Sequence, residues 1–184
     1  MSTLKVNNVT DLGADAVVTD GVIAADAITS LNASALPTGS ILQVVSTFKD
    51  SVFSTSSTSF VDVTGMSATM TPSSTSSKIL VGINTYIGST ASSDFRLKIQ
   101  RNDSDVFEHG GDDYSYGTNI GYSATNRLVP FALVFNVLDS PASSSAQTYK
   151  IKIKSTSGTS YINRSGDVAG NTAVSSIVLM EVAG

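Results

Sequence analysis

Cysteine and tryptophan are absent from this 184-residue sequence, and histidine occurs once, at His109. Without cysteine there is no disulfide framework, no thiolate metal site and no cysteine nucleophile. A single imidazole also removes the common zinc ligand sets. Apolar runs fall far short of the roughly 20 residues that span a bilayer, so no membrane insertion is expected. The opening Met1-Ser-Thr-Leu-Lys5-Val-Asn-Asn8 lacks the apolar stretch of a secretory signal. Charge is scarce as well: 14% of residues are charged and the net charge is -4. An acidic balance argues against a nucleic-acid partner, whose phosphates favour a basic face.

What fills the space is hydroxyl. Serine and threonine together number 51 of 184 residues, while hydrophobic residues still make up 41%. That apolar fraction supports one sizeable core and argues against a disordered tract. Composition shifts near Leu36-Pro37-Thr38-Gly39. Residues 1–36 hold Lys5 against Asp11, Asp15, Asp20 and Asp26, and no aromatic residue. Aromatic side chains bring the largest apolar area to a core, so this segment is not expected to fold alone. Val18, Ile23 and Ile28 recur every five residues, a period of neither strand nor helix. Two readings are open: short extended pieces and turns ordered against a partner, or a mobile terminus with chance spacing.

From Ser40 onward the pattern is β. Phe95-Arg-Leu-Lys-Ile-Gln100 and Tyr149-Lys-Ile-Lys-Ile-Lys154 alternate strictly between apolar and polar. Such alternation predicts antiparallel strands with one wet face. Further strands are expected over 41–45, 59–63, 67–70 and 78–87, separated by clusters such as Thr71-Pro-Ser-Ser-Thr-Ser-Ser77. The predicted fold class is all-β: an antiparallel β-sandwich, a jelly-roll-like head over 37–184, preceded by an extended N-terminal segment over 1–36.

Two strands break the wet-face rule. Leu128 to Leu138 is apolar at both parities, and so is Ile177 to Val182 except at Glu181. The second face needs a cover, either a neighbouring subunit or the protein's own loops. Burying four such side chains is worth roughly 6–12 kcal/mol before ordering costs. A subunit interface is the favoured reading, through Val129, Phe131, Leu133, Phe135, Val178, Met180 and Val182.

A catalytic constellation does not emerge. His109 lies in Glu108-His-Gly-Gly-Asp-Asp113, which reads as an exposed turn, and no Gly-x-Ser-x-Gly elbow or phosphate-binding glycine pattern occurs. Asp103, Asp105, Glu108, Asp112 and Asp113 would offer a calcium ion several oxygen ligands, but their spacing matches no EF-hand loop. They crowd one loop, unlike the paired carboxylates of a glycosidase cleft. No cofactor, no metal and no enzymatic activity are expected. Residues 102–127 stand apart through Tyr114, Tyr116 and Tyr122 among Asp, Gly and Asn. That composition suits an adaptable recognition loop, with Asp112 and Asp113 as sugar-bonding groups, or else an ordinary connection packed on the sandwich.

Several stretches, in this order, resemble fibre and appendage proteins of tailed bacteriophages, particularly marine and cyanobacterial ones. They are Thr3-Leu-Lys-Val-Asn-Asn-Val9, Thr19-Asp-Gly-Val-Ile-Ala-Ala-Asp-Ala-Ile28, Leu36-Pro-Thr-Gly-Ser-Ile-Leu-Gln-Val44, Pro72 to Val81, Leu138-Asp-Ser-Pro141 and Leu179 to Gly184. The resemblance implies a homotrimeric virion protein on the particle surface, at the tail or capsid exterior. Its head would be similar to the trimeric heads of tumour necrosis factor-like jelly rolls. Residues 1–36, through Val18, Ile23 and Ile28, would bind other virion proteins. The head would meet a host-surface glycan through residues 102–127. The alternative is a capsid decoration, head fibre or connector that binds only virion proteins.

Overall fold

The computed structural model describes residues 18–19, 22–23, 36–90, 95–107, 130–155, 157–170 and 172–184. The chain divides into two compact units, Met1–Leu36 and Pro37–Gly184. In the first, β1 (Val18–Thr19) pairs antiparallel with β2 (Val22–Ile23), Val18 opposite Ile23 and Thr19 opposite Val22. The second cross-strand pair out from a two-residue connection sits five positions apart, which accounts for one of the two five-residue intervals. Asp20-Gly21, the dipeptide between them, is of the type that hairpins prefer. Ile28 lies outside the described residues.

The second unit is an all-β sandwich. Its strands are β3 (Ile41–Lys49), β4 (Phe53–Thr55), β5 (Val61–Met70), β6 (Lys78–Ser89), β7 (Phe95–Arg101) and β8 (Ser104–Phe107), then β9 (Phe131–Asp139), β10 (Gln147–Ser155), β11 (Ser160–Ile162) and β12 (Ser175–Val182). One sheet runs β5-β10-β7-β8; the other runs β3-β12-β6-β11-β4, with β9 on the free side of β6. Setting aside the short β4 and β11, eight strands remain. The first pairs with the eighth (β3 with β12), the second with the seventh (β5 with β10), the third with the sixth (β6 with β9) and the fourth with the fifth (β7 with β8). That is one long hairpin rolled into two layers, the jelly-roll arrangement expected from the sequence.

Between the layers sit Met66, Met70, Ile79, Val81, Ile83, Ile87, Ile99, Tyr149, Ile151, Ile153, Ile162, Ile177 and Leu179, all nearly or fully removed from solvent. Burial of each is worth about 1.5–3 kcal/mol, so the period-two pattern of β6, β10 and β12 fixes which face turns inward. The expected strands 59–63 and 67–70 are one strand, β5. Its ladder with β10 slips between Lys150, opposite Ser67, and Lys152, opposite Asp62. Gly65 lies in the extra stretch at φ +84, where a side chain would be strained.

Serines close the turns. The amide N–H groups of Ser57, Ser59, Ser76 and Ser145 each donate to the hydroxyl two residues earlier, at 3.0–3.2 Å. These hydroxyls supply local caps that let short loops turn without buried charge.

Candidate functional site

The outer face of the sheet formed by β3, β12, β6 and β9 carries no charged side chain along three successive cross-strand rows. Met180 stands opposite Val44 on one side and Leu80 on the other, and Leu80 stands opposite Leu138. This makes a four-residue apolar row across the sheet, roughly 14 Å long at about 4.8 Å per strand. Ser46, Val178, Gly82 and Asn136 form the next row; Phe48, Ser176, Asn84 and Val134 form the third. Val44, Phe48, Val134 and Leu138 are 57%, 70%, 63% and 54% exposed. Apolar side chains so grouped mark an interaction surface, whereas scattered ones do not.

The structure divides the expected interface residues. Val178, Met180 and Val182 are half-buried on the outward side of β12, while Ile177, Leu179 and Glu181 turn inward. Leu133 and Phe135 do not belong to the outward face: they pack against the core together with Val137. The outward positions of β9 are Ala132, Val134, Asn136 and Leu138. The correction has a simple cause, since β9 is apolar at both parities and the alternation alone does not say which parity meets the core. Val129 lies outside the described residues, and only the backbone of Phe131 is described.

Tyr114, Tyr116, Tyr122, Asp112 and Asp113 also lie outside the described residues, as does His109. The start of that segment is no loop. Arg101 pairs with Ser104 across a two-residue turn, Asn102-Asp103, with both residues at positive φ (45 and 69). This is the backbone of a tight hairpin turn, which Asn and Asp tolerate better than most residues. The Asn102 side chain holds it in place, its Oδ1 accepting from Thr148 N at 2.9 Å and its Nδ2 donating to Gln147 Oε1 at 3.0 Å. An Asn-Asp pair after a strictly alternating strand is the cue that identifies β8.

The second sheet presents the opposite kind of surface. Outward from β7 and β10 stand Arg96, Lys98, Lys150, Lys152 and Lys154, with Lys98 directly opposite Lys152 and Arg96 opposite Lys154. Lys98 pairs with Asp105 at 2.8 Å, Lys150 with Asp103 at 2.6 Å, and Asp62 bridges Lys150 and Lys152 at 3.2 and 3.3 Å. Burial pushes the Asp62 carboxyl up, but its hydrogen bonds to Lys150 and Lys152 and their charge outweigh this and hold it below the ordinary value. The hydrogen bonds that Lys150 donates to Asp103 and Asp62 raise the pKa of its ammonium. The ammonium groups of Lys98 and Lys154 each lie 4.8 Å from the centroid of the Phe60 ring.

The remaining ionisable contacts bind strands together. Tyr149 Oη donates to Asp139 Oδ2 at 2.7 Å, and the Arg101 guanidinium pairs with the same oxygen, joining β9 in one sheet to β7 and β10 in the other. Burial and the hydrogen bond to Asp139 push the Tyr149 hydroxyl well above its usual range. Asn163, fully buried at φ +63, donates through Nδ2 to Lys49 O at 2.7 Å and accepts from Ser175 Oγ at 2.5 Å. These groups are engaged in structural bonds, and among the described residues no three His, Cys, Asp or Glu gather to hold a metal. No helix among them is long and apolar enough to cross a membrane.

No protein-family model and no curated protein matches this chain. Among solved structures it is similar to the VP2 subviral particle of infectious bursal disease virus, at a TM-score of 0.35 and 14% identity. The likeness covers 77% of this chain and 37% of that one.

Proposed function

We propose that the chain is a non-enzymatic structural protein of a virion, a short trimeric appendage of the phage tail-fibre type. The observation that carries this reading is the apolar row Val44–Met180–Leu80–Leu138 within three uncharged cross-strand rows of the outer face. A second copy is the occupant that fits it, because the same uncharged surface offered by another subunit meets it without burying an unpaired charge. Jelly rolls recur in capsid and lectin domains, and that analogy agrees with the reading without deciding it. The threefold number comes from the resemblance to phage fibres. So do attachment through residues 1–36 and contact of a host-surface glycan by the head.

Electron cryomicroscopy of purified particles tests the proposal. Expected is threefold density of about 57 kDa, three copies of a 19.0 kDa chain, on the tail or capsid exterior. Density confined to the capsid lattice would favour the decoration protein over the receptor-binding fibre. Absence of the chain from particles would overturn both.

A further inference from the structure

We infer that the outer face of the β5-β10-β7-β8 sheet binds an anionic polysaccharide, with Arg96 and Lys154 seating its carboxylate or sulfate groups. The source of such a ligand on a cell surface rests on the virion reading above; the binding chemistry does not.

Charge on this protein is distributed against its average. The chain is acidic overall, with 11 basic and 15 acidic residues, yet five of the 11 cations stand on this one face. Among the described residues three carboxylates answer them there, and all three are used by Lys98, Lys150 and Lys152. Among the described residues, Arg96 and Lys154 have no carboxylate partner. They stand directly opposite each other in the ladder. Like charges placed so cost stability, and a local conflict of that kind points to a functional load.

Two details sharpen the site. Arg96 Nε is buried and has no hydrogen-bond acceptor among the described residues. A buried donor left unmade is expensive; Arg96 as a whole is only half-buried, so an anionic oxygen meets the outer part of its guanidinium. The Lys154 ammonium is held against the Phe60 ring, which it shares with Lys98. A ring fixes a cation in place without neutralising it, so the positive charge stays available. Further along the same face Thr69 and Thr148 hydroxyls lie 2.8 Å apart and exposed, suited to sugar hydroxyls. The neutral hydroxyl pair favours a polysaccharide over nucleic acid, since the net charge of -4 repels both polyanions alike.

The test is binding of the full chain to polygalacturonate at physiological ionic strength, by calorimetry or surface plasmon resonance, with neutral dextran as control. Expected is saturable binding to polygalacturonate alone. The R96Q/K154Q variant should weaken it at least tenfold, while K78Q, which removes a cation from the other sheet, leaves it within twofold. Because R96Q/K154Q relieves a like-charge pair, its unfolding midpoint should not fall; should it fail to fold, K154Q alone is expected to weaken binding about threefold or more. The inference is overturned by no binding, by equal binding to dextran, by equal loss in K78Q, or by tighter binding of a single-stranded DNA oligomer. None of these outcomes bears on whether the chain resides on particles.

Discussion

Glu181 Oε1 accepts two hydrogen bonds from Ser73, from the backbone N–H and from Oγ, each at 2.7 Å. The carboxylate is fully buried, and Gln43 Nε2 donates to its other oxygen at 2.5 Å. A buried negative charge is thus satisfied by neutral donors, and it ties the loop after β5 to β12 and β3. Burial pushes the Glu181 carboxyl up, but the bonds from Gln43 and Ser73 outweigh it and hold its pKa below the ordinary value. With the folded value depressed, this stabilisation is complete above the unfolded pKa and is lost as pH falls through the folded one. Glu181→Gln replaces one acceptor oxygen by a donor facing donors. We expect a loss of about 1.5–3 kcal/mol in urea unfolding at pH 7. The difference from wild type should shrink below about pH 4.

The inter-sheet clamp predicts a graded response. Asp139→Asn leaves Arg101 without its carboxylate and weakens the Tyr149 bond, and should cost about 2–4 kcal/mol. Tyr149→Phe removes only one hydrogen bond and should cost about 1–2 kcal/mol. Equal losses in the two variants would show that Arg101 contributes nothing to the clamp.

Two glycines lock β6 to the segment after β11. A Cβ on Gly166 would lie 2.0 Å from Ser89 O, and one on Gly88 would lie 2.3 Å from Arg164 O. Both obstacles are backbone, which yields poorly. Gly166→Ala and Gly88→Ala should each lower stability by about 1–3 kcal/mol, measured by thermal or urea unfolding. Gly170→Ala, with nothing within 4 Å, should be close to neutral.

Self-association through the apolar row gives a separable outcome. V44K and L138K place charges on outward positions, where substitutions usually change stability by no more than about 0.5 kcal/mol. Light scattering at micromolar concentration should show wild type near 57 kDa and the double variant near the 19.0 kDa of one chain. A wild-type monomer would refute the interface.

The strands with one wet face were legible because β7 and β10 alternate without exception. What escaped was any feature where two parities or two periods compete. Leu133 and Phe135 could not be told from Val134 and Leu138, since both sets are apolar and only the register with β6 chooses between them. Glu181 reads as a surface residue in sequence, and its cradle is made by Gln43 and Ser73, 138 and 108 positions away. The three-residue strands β4 and β11 carry too few residues to show a period. The basic face was half visible as three outward lysines. The pairing of Lys154 with Arg96 is a matter of register, which a single strand does not encode.

The order of the rolled hairpin also sets a sequence of events. β12 lies between β3 and β6, so the row from Val44 to Leu138 is interrupted until that strand, the last of the sandwich to leave the ribosome, is inserted. At a synthesis rate of about 5–20 residues per second, the earlier strands wait for several seconds with that gap open. Under the proposed self-association, a nascent chain thus has no finished surface for a second copy, and pairing on the polysome is deferred until each head is complete.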